Sequence, residues 1–119
     1  MVKFIYKICN SSEWLNFKKK KKFFGTKKDL LDGFIHLSNK TQVRNTLKKY
    51  YFKKDKLILL KISTSKLKNL VWEKSQSGIA FPHVYSYLKT KDVISIYEIS
   101  IKKNGKYLFL SNSSNTNNF

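Results

Sequence analysis

The stretch Val93-Ile94-Ser95-Ile96-Tyr97-Glu98-Ile99-Ser100-Ile101-Lys102-Lys103-Asn104-Gly105-Lys106-Tyr107-Leu108-Phe109-Leu110 decides the fold class. Two runs of β-branched and aromatic residues flank an Asn-Gly pair. This combination predicts a β-hairpin closed by a type I′ turn. A hairpin makes at least part of the sheet antiparallel. The helices expected upstream are short and scattered between strands, so the chain reads as α+β.

Working back from the hairpin, residues 83–88 read as a strand. Residues 75–82, with Gly78 and the single proline Pro82, read as a loop. Residues 71–73 form a brief strand and 64–70 a helical turn. The run Leu57-Ile58-Leu59-Leu60 within 56–63 is apolar without alternation, as a central strand buried on both faces requires. A helix is expected over 41–51, opened by Ser38 or Asn39, with Val43, Leu47, Tyr50 and Tyr51 as its buried stripe. Residues 34–37 form a short strand, with Ile35 and Leu37 on one face and Phe34, His36 and Ser38 on the other. Thr26 followed by Asp29 is a cap signature ahead of Leu30 and Leu31, with Gly33 terminating that turn. The lysine run 18–22 reads as a solvated loop. Before it, Asn10 or Ser11 caps a helix carrying Trp14, Leu15 and Phe17, with Glu13 returning a bond to the cap. Residues 2–9 supply the first strand. Trp14, Trp72 and Phe34 are expected in the core. One domain over 1–110 and a disordered polar tail over 111–119 complete the reading.

Composition narrows the class. With 41% hydrophobic and 15% aromatic residues, the chain can bury a core. No apolar run approaches the ~18 residues of a membrane span, and none near the N-terminus resembles a signal peptide. The lone Cys9 offers neither an internal disulfide nor a metal cluster, and no ligands fall at zinc-like spacing, so no metal is expected. A cytoplasmic, non-membrane protein fits. The oligomeric state is not encoded in any of these features. Twenty-five basic residues against seven acidic give a formal charge of +18, which attracts phosphates and makes a lysine-rich surface for nucleic acid an alternative function. Against it, only Arg44 is arginine, whose planar fork is the usual tool for bidentate recognition. Lysine, asparagine and isoleucine are also inflated together, as A/T-rich codons would produce.

Candidate chemistry centres on the two histidines. His36 stands at a strand–helix junction with Ser38 beside it and Gln42 and Arg44 in the following helix. A helix N-terminus there favours an anion such as phosphate. The other reading of His36 is a core imidazole tied to a backbone carbonyl. His83 follows Phe81-Pro82, with Tyr85 on its face, and Glu73 ends a neighbouring strand. His36, Glu73, His83 and Tyr85 from three segments could converge in one cleft with general acid/base capacity.

The strings Asp29-Leu30-Leu31-Asp32-Gly33-Phe34-Ile35-His36-Leu37-Ser38 and Phe81-Pro82-His83-Val84-Tyr85 carry a family resemblance. With Ile5-Tyr6-Lys7-Ile8, Trp14, Gln42-Val43, Thr46 and Trp72-Glu73, they resemble the bacterial family called domain of unknown function 952, from about Phe4 to Ile101. The resemblance implies an ADP-ribosyltransferase-like fold, a small split, curved β-sheet with short helices and a cleft for NAD. Ile35-His36-Leu37-Ser38 is also similar to the second motif of RNA 2′-phosphotransferases. On that mapping Lys7 stands where those enzymes carry a histidine. The resemblance implies a nucleotide ligand, NAD or ADP-ribose-like, held by Lys7, His36, Ser38, Gln42, Arg44 and Tyr85. Glu73, His83 and His36 would be the catalytic set of a transferase, with Glu98 a second choice for the late-strand carboxylate.

Overall fold

The structure, a computed structural model, describes residues 2–111 and 119. Its elements in chain order are β1 (Phe4–Asn10), α1 (Ser11–Lys20), β2 (Lys22–Phe23), α2 (Lys27–Asp32), β3 (Ile35–His36) and α3 (Val43–Tyr50). There follow β4 (Leu57–Ser63), β5 (Leu70–Lys74), β6 (Ala80–Val84), β7 (Leu88–Lys89), a 3₁₀ turn (Thr90–Asp92), β8 (Val93–Ile101) and β9 (Tyr107–Ser111). The fold is mixed α+β. Its strands form a four-stranded sheet in the order β1-β4-β8-β9, a ribbon β2-β7 and a three-stranded sheet β3-β6-β5. Every pairing of these strands is antiparallel.

The four-stranded sheet is covered on both faces. Ile5, Cys9, Ile58, Leu60 and Ile62 face a cluster that includes Trp14 and Phe17 of α1, together with Ile35 and Val84. Tyr6, Ile8, Leu57 and Leu59 face Val43 and Leu47 of α3, with Tyr97 and Phe109. This double burial accounts for the unbroken apolar run of β4, which is central as expected. Lys7 shares its face with Ile5 and Cys9 and is buried among them. Burial, with Glu13 nearby, pushes the Cys9 thiol up to about 12.

Local signals hold at both capping boxes. The Asn10 side chain accepts from Glu13 N–H, and Glu13 accepts from Asn10 N–H. Thr26 and Asp29 make the same reciprocal pair. The helix expected over 41–51 runs from Val43 to Tyr50 with no side-chain bond at its cap, Gln42, and Asn39 and Gln42 make a reciprocal pair across the turn ahead of it.

Several expectations are corrected. The lysine run is not a loop, because α1 continues through Lys20, Lys21 is its left-handed cap at φ 64°, and Lys22 enters β2. Leu15 and Tyr50 are exposed rather than packed, and Trp72 is 39% exposed. Residues 64–69 form turns without helix, and 85–87 bend away before β7 resumes. Phe81 and Pro82, expected in a loop, lie inside β6. Leu37 N–H donates to Pro82 C=O at 3.0 Å, but proline has no N–H to return, so the β3–β6 ladder ends at His36–His83. The hairpin forms, yet of its loop only Gly105 has positive φ, 83°. A type I′ turn needs two such residues. Gly105 N–H donates to Lys102 C=O and Lys102 N–H to Lys106 C=O, the pattern of a longer loop closed by a left-handed glycine. Ser111, expected in the disordered tail over 111–119, instead closes β9 and is buried. Phe119 packs its ring 4.4 Å from that of Phe109 and 5.1 Å from that of Tyr6. The remainder of that tail, 112–118, lies outside the described residues.

Candidate functional site

Where the ladder with Pro82 fails, the chain changes sheets. Tyr6 and Ser38 exchange backbone hydrogen bonds of 2.8 and 2.9 Å. The segment 35–38 therefore pairs with β6 at one end and with β1 at the other. His36 sits at that crossing, opposite His83. The outer face of the three-stranded sheet gathers Phe34, His36, His83 and Tyr85. The Phe34 ring lies 4.1 Å from that of His83, 4.5 Å from His36 and 5.2 Å from Tyr85. Phe34, expected in the core, is thus the spacer between the two imidazoles, which are 5.5 Å apart edge to face.

Asp29 organises the interior side. Its buried carboxylate accepts from Lys7 Nζ at 2.7 Å, from Thr26 N–H at 2.8 Å and from His36 N–H at 3.0 Å, and it lies 2.6 Å from His36 Nδ1. Burial alone would raise this carboxyl. The His36 bond, the Lys7 charge and bond and the Thr26 N–H outweigh it and hold Asp29 well below the usual carboxylate range. His36 Nε2 is 2.9 Å from Asp32 Oδ2. Asp32 is lowered by its bond to Lys28 first and by His36 second.

On the far side, His83 Nδ1 lies 2.8 Å from Glu73 Oε1, and Tyr85 OH donates to the same oxygen at 2.5 Å. The Tyr85 bond and then the His83 bond lower Glu73, and the Glu73 bond raises the Tyr85 phenol. No described residue bonds His83 Nε2 within the protein. A carboxylate orients one nitrogen of the ring, and the other remains open to exchange a proton.

His36 and His83 share the wall of a cleft of about 830 Å³ between α3, the start of α2 and the β5–β6 turn. Polar side chains Asn39, Asn45 and Ser77, the cation Lys49 and the rings of Tyr50 and Phe81 also line it. Lys49 has no carboxylate partner among the described residues.

The sequence expectations fare unevenly. His36, Glu73, His83 and Tyr85 do converge. Glu73 and Tyr85, however, stand behind His83 and off the cleft wall. Lys7 borders the cleft, with its buried ammonium bonded to Asp29 and to His36 C=O at 2.8 Å. Ser38 is buried with its hydroxyl 3.1 Å from that of Thr46. Gln42 spans from Asn39 N–H to Ala80 C=O, at 3.0 and 2.7 Å, and so ties α3 to β6. Arg44 leaves the other side of α3, its guanidinium 5.0 Å from the Phe109 ring and 5.3 Å from Phe119. Glu98 pairs with β4 and β9 and takes no part in the cleft. Sequence reasoning missed Asp29 as the organiser, having a cap role ready for it. It also missed Asn45 and Lys49, although with Gln42 they form a polar i, i+3, i+7 stripe beside the buried Val43–Leu47 stripe.

A small α+β domain with two histidines on one cleft wall is the class these features define. Residues 8–96 match the family described as "Protein of unknown function (DUF952)", and the chain belongs to that family. The crystal structure of protein CC0527 from Caulobacter crescentus is similar at 35% identity, covering 87% of this chain and 92% of that one with a TM-score of 0.81. Its solution NMR structure matches at 36% identity over 86% and 89% of the two chains, with a TM-score of 0.76. No curated protein matches. Among the described residues no group of three or more His, Cys, Asp or Glu side chains is placed to hold a metal ion, and no helix is long and apolar enough to cross a membrane.

Proposed function

We propose that the cleft binds a nucleotide-type ligand, of the ADP-ribose or 2′-phosphorylated class, in an ADP-ribosyltransferase-like arrangement, and that His83 exchanges a proton with it. The observation that carries this reading is the open Nε2 of His83 beside a cleft that joins aromatic rings, amides and an unpaired cation. Lys49 and the Asn39 and Asn45 amides suit phosphate and ribose oxygens, and Tyr50 or Phe81 suits a base. Glu73 fixes the ring of His83 through Nδ1. A ligand oxygen reaching His36 Nε2 would displace Asp32, its exposed partner, and leave Asp29 in place.

NAD fits this cleft in part. Its adenosine and phosphate groups have partners, whereas departure of nicotinamide calls for a carboxylate facing the ribose. Among the cleft-lining residues the acid is Asp29, already committed to Lys7 and His36. The residues present therefore favour binding and proton transfer at a phosphate or hydroxyl over glycosidic cleavage.

Titration calorimetry of wild type, His83→Ala and Lys49→Ala against ADP-ribose, NAD and a 2′-phosphorylated nucleotide tests the reading. We expect binding by wild type, weakened about tenfold in Lys49→Ala, the order of one charge-assisted contact. No heat from any of the three ligands at millimolar concentration overturns it.

A further inference from the structure

We propose that the outer face of the β2–β7 ribbon is a docking platform for single-stranded nucleic acid, independent of the cleft. The ribbon pairs Lys22 with Lys89 and Phe23 with Leu88. Strand alternation splits these into two faces. Phe23 and Leu88 point inward and are buried in the core. Lys22 and Lys89 are exposed, and the residues two positions from each, just beyond the strands, are aromatic, Phe24 and Tyr87. Their rings lie 5.4 Å apart, and Phe24 is 58% exposed. The ammonium of Lys22 is 5.0 Å from the Tyr87 ring and that of Lys89 is 5.9 Å from it.

Two features set this patch apart from a surface that is merely basic. Like charges placed directly opposite across a ribbon repel, and neither lysine has a carboxylate partner among the described residues. The nearby acid, Asp92, is buried and accepts from Lys89 N–H at 3.3 Å, turned away from the outer face. The opposed cations also frame the exposed ring of Phe24 and the half-buried ring of Tyr87, a combination the sequence hides because Lys22-Phe23-Phe24 and Tyr87-Leu88-Lys89 are remote in the chain. Phosphate between the ammoniums relieves their repulsion, and an unpaired base stacks on Phe24 or Tyr87. A duplex offers phosphates but no open base face, so the partner is single-stranded.

The test is fluorescence anisotropy with a labelled oligothymidylate across a salt series. Four proteins are compared: wild type, Lys22→Ala/Lys89→Ala, Phe24→Ala/Tyr87→Ala, and Lys103→Ala/Lys106→Ala on the β8–β9 turn as an equal-charge control. The ribbon lysine pair should weaken binding at least about tenfold and flatten the log–log salt slope by about 1.4, two contacts at ~0.7 each. The aromatic pair should weaken it about tenfold with the slope retained, and the control should change it little. His83→Ala should leave it unchanged, which separates this proposal from the one for the cleft. Equal losses from the two lysine pairs, no loss from the aromatic pair, equal binding of polyglutamate, or no binding by wild type each overturn it.

Discussion

Replacing Asp29 by asparagine keeps its shape but strands the buried ammonium of Lys7, 2.7 Å away. Breaking a buried pair from one side costs about 3–5 kcal/mol, and urea unfolding of Asp29→Asn should show a loss of that order. The same carboxylate makes stability depend on pH with a definite sign. Its folded pKa is depressed, so its contribution is fully present above the unfolded value of about 3.9. That contribution drains as pH falls below this value towards the folded one. Wild type should lose stability steeply below about pH 4, and Asp29→Asn should lose less over the same interval. A parallel decline in both proteins would place the acid sensitivity elsewhere. The sequence marked Asp29 as a helix cap, which it is, because a cap is a local relation three residues long. It could not mark the contacts to Lys7 and His36, which depend on how β1 and β3 meet.

At the scale of elements, α2 is held by its entry. Gly25 has φ of 124°, and a Cβ there would lie 2.5 Å from Asp29 Cβ. Gly25→Ala should therefore destabilise by more than about 1 kcal/mol and disturb His36 through Asp29; a melting temperature equal to wild type would contradict this. Elements written in adjacent residues were legible, among them the Asn10–Glu13 box, the apolar β4 and the hairpin about Gly105. Those set by distant partners were not. Pro82 looked like a loop residue, since nothing local reveals that its missing N–H coincides with the end of β3. Trp72 looked like core, yet on β5 it is 39% exposed. The convergence of His36 with His83 was anticipated from residue type and family resemblance. Their cross-strand register and the Phe34 ring between them were not.

For the molecule as a whole, the described chain closes on itself through Phe119, which meets Tyr6, Tyr97 and Phe109 and lies under Arg44. Half-burial of one phenyl ring and its edge contacts correspond to about 1–2 kcal/mol. Phe119→Ala should lower unfolding stability by that amount while sparing ligand binding in the cleft; an unchanged denaturation midpoint would show the contact to be dispensable. The crossing of residues 35–38 from β6 to β1 bears on motion. Two sheets tied by the Tyr6–Ser38 bridge and by the buried Lys7–Asp29 ion pair are held together at this crossing. Amide deuteration at Tyr6 and Ser38 should therefore proceed as slowly as in the middle of β4, through global opening alone. The wall bearing the two imidazoles is accordingly preorganised, and a ligand would meet it at little conformational entropy.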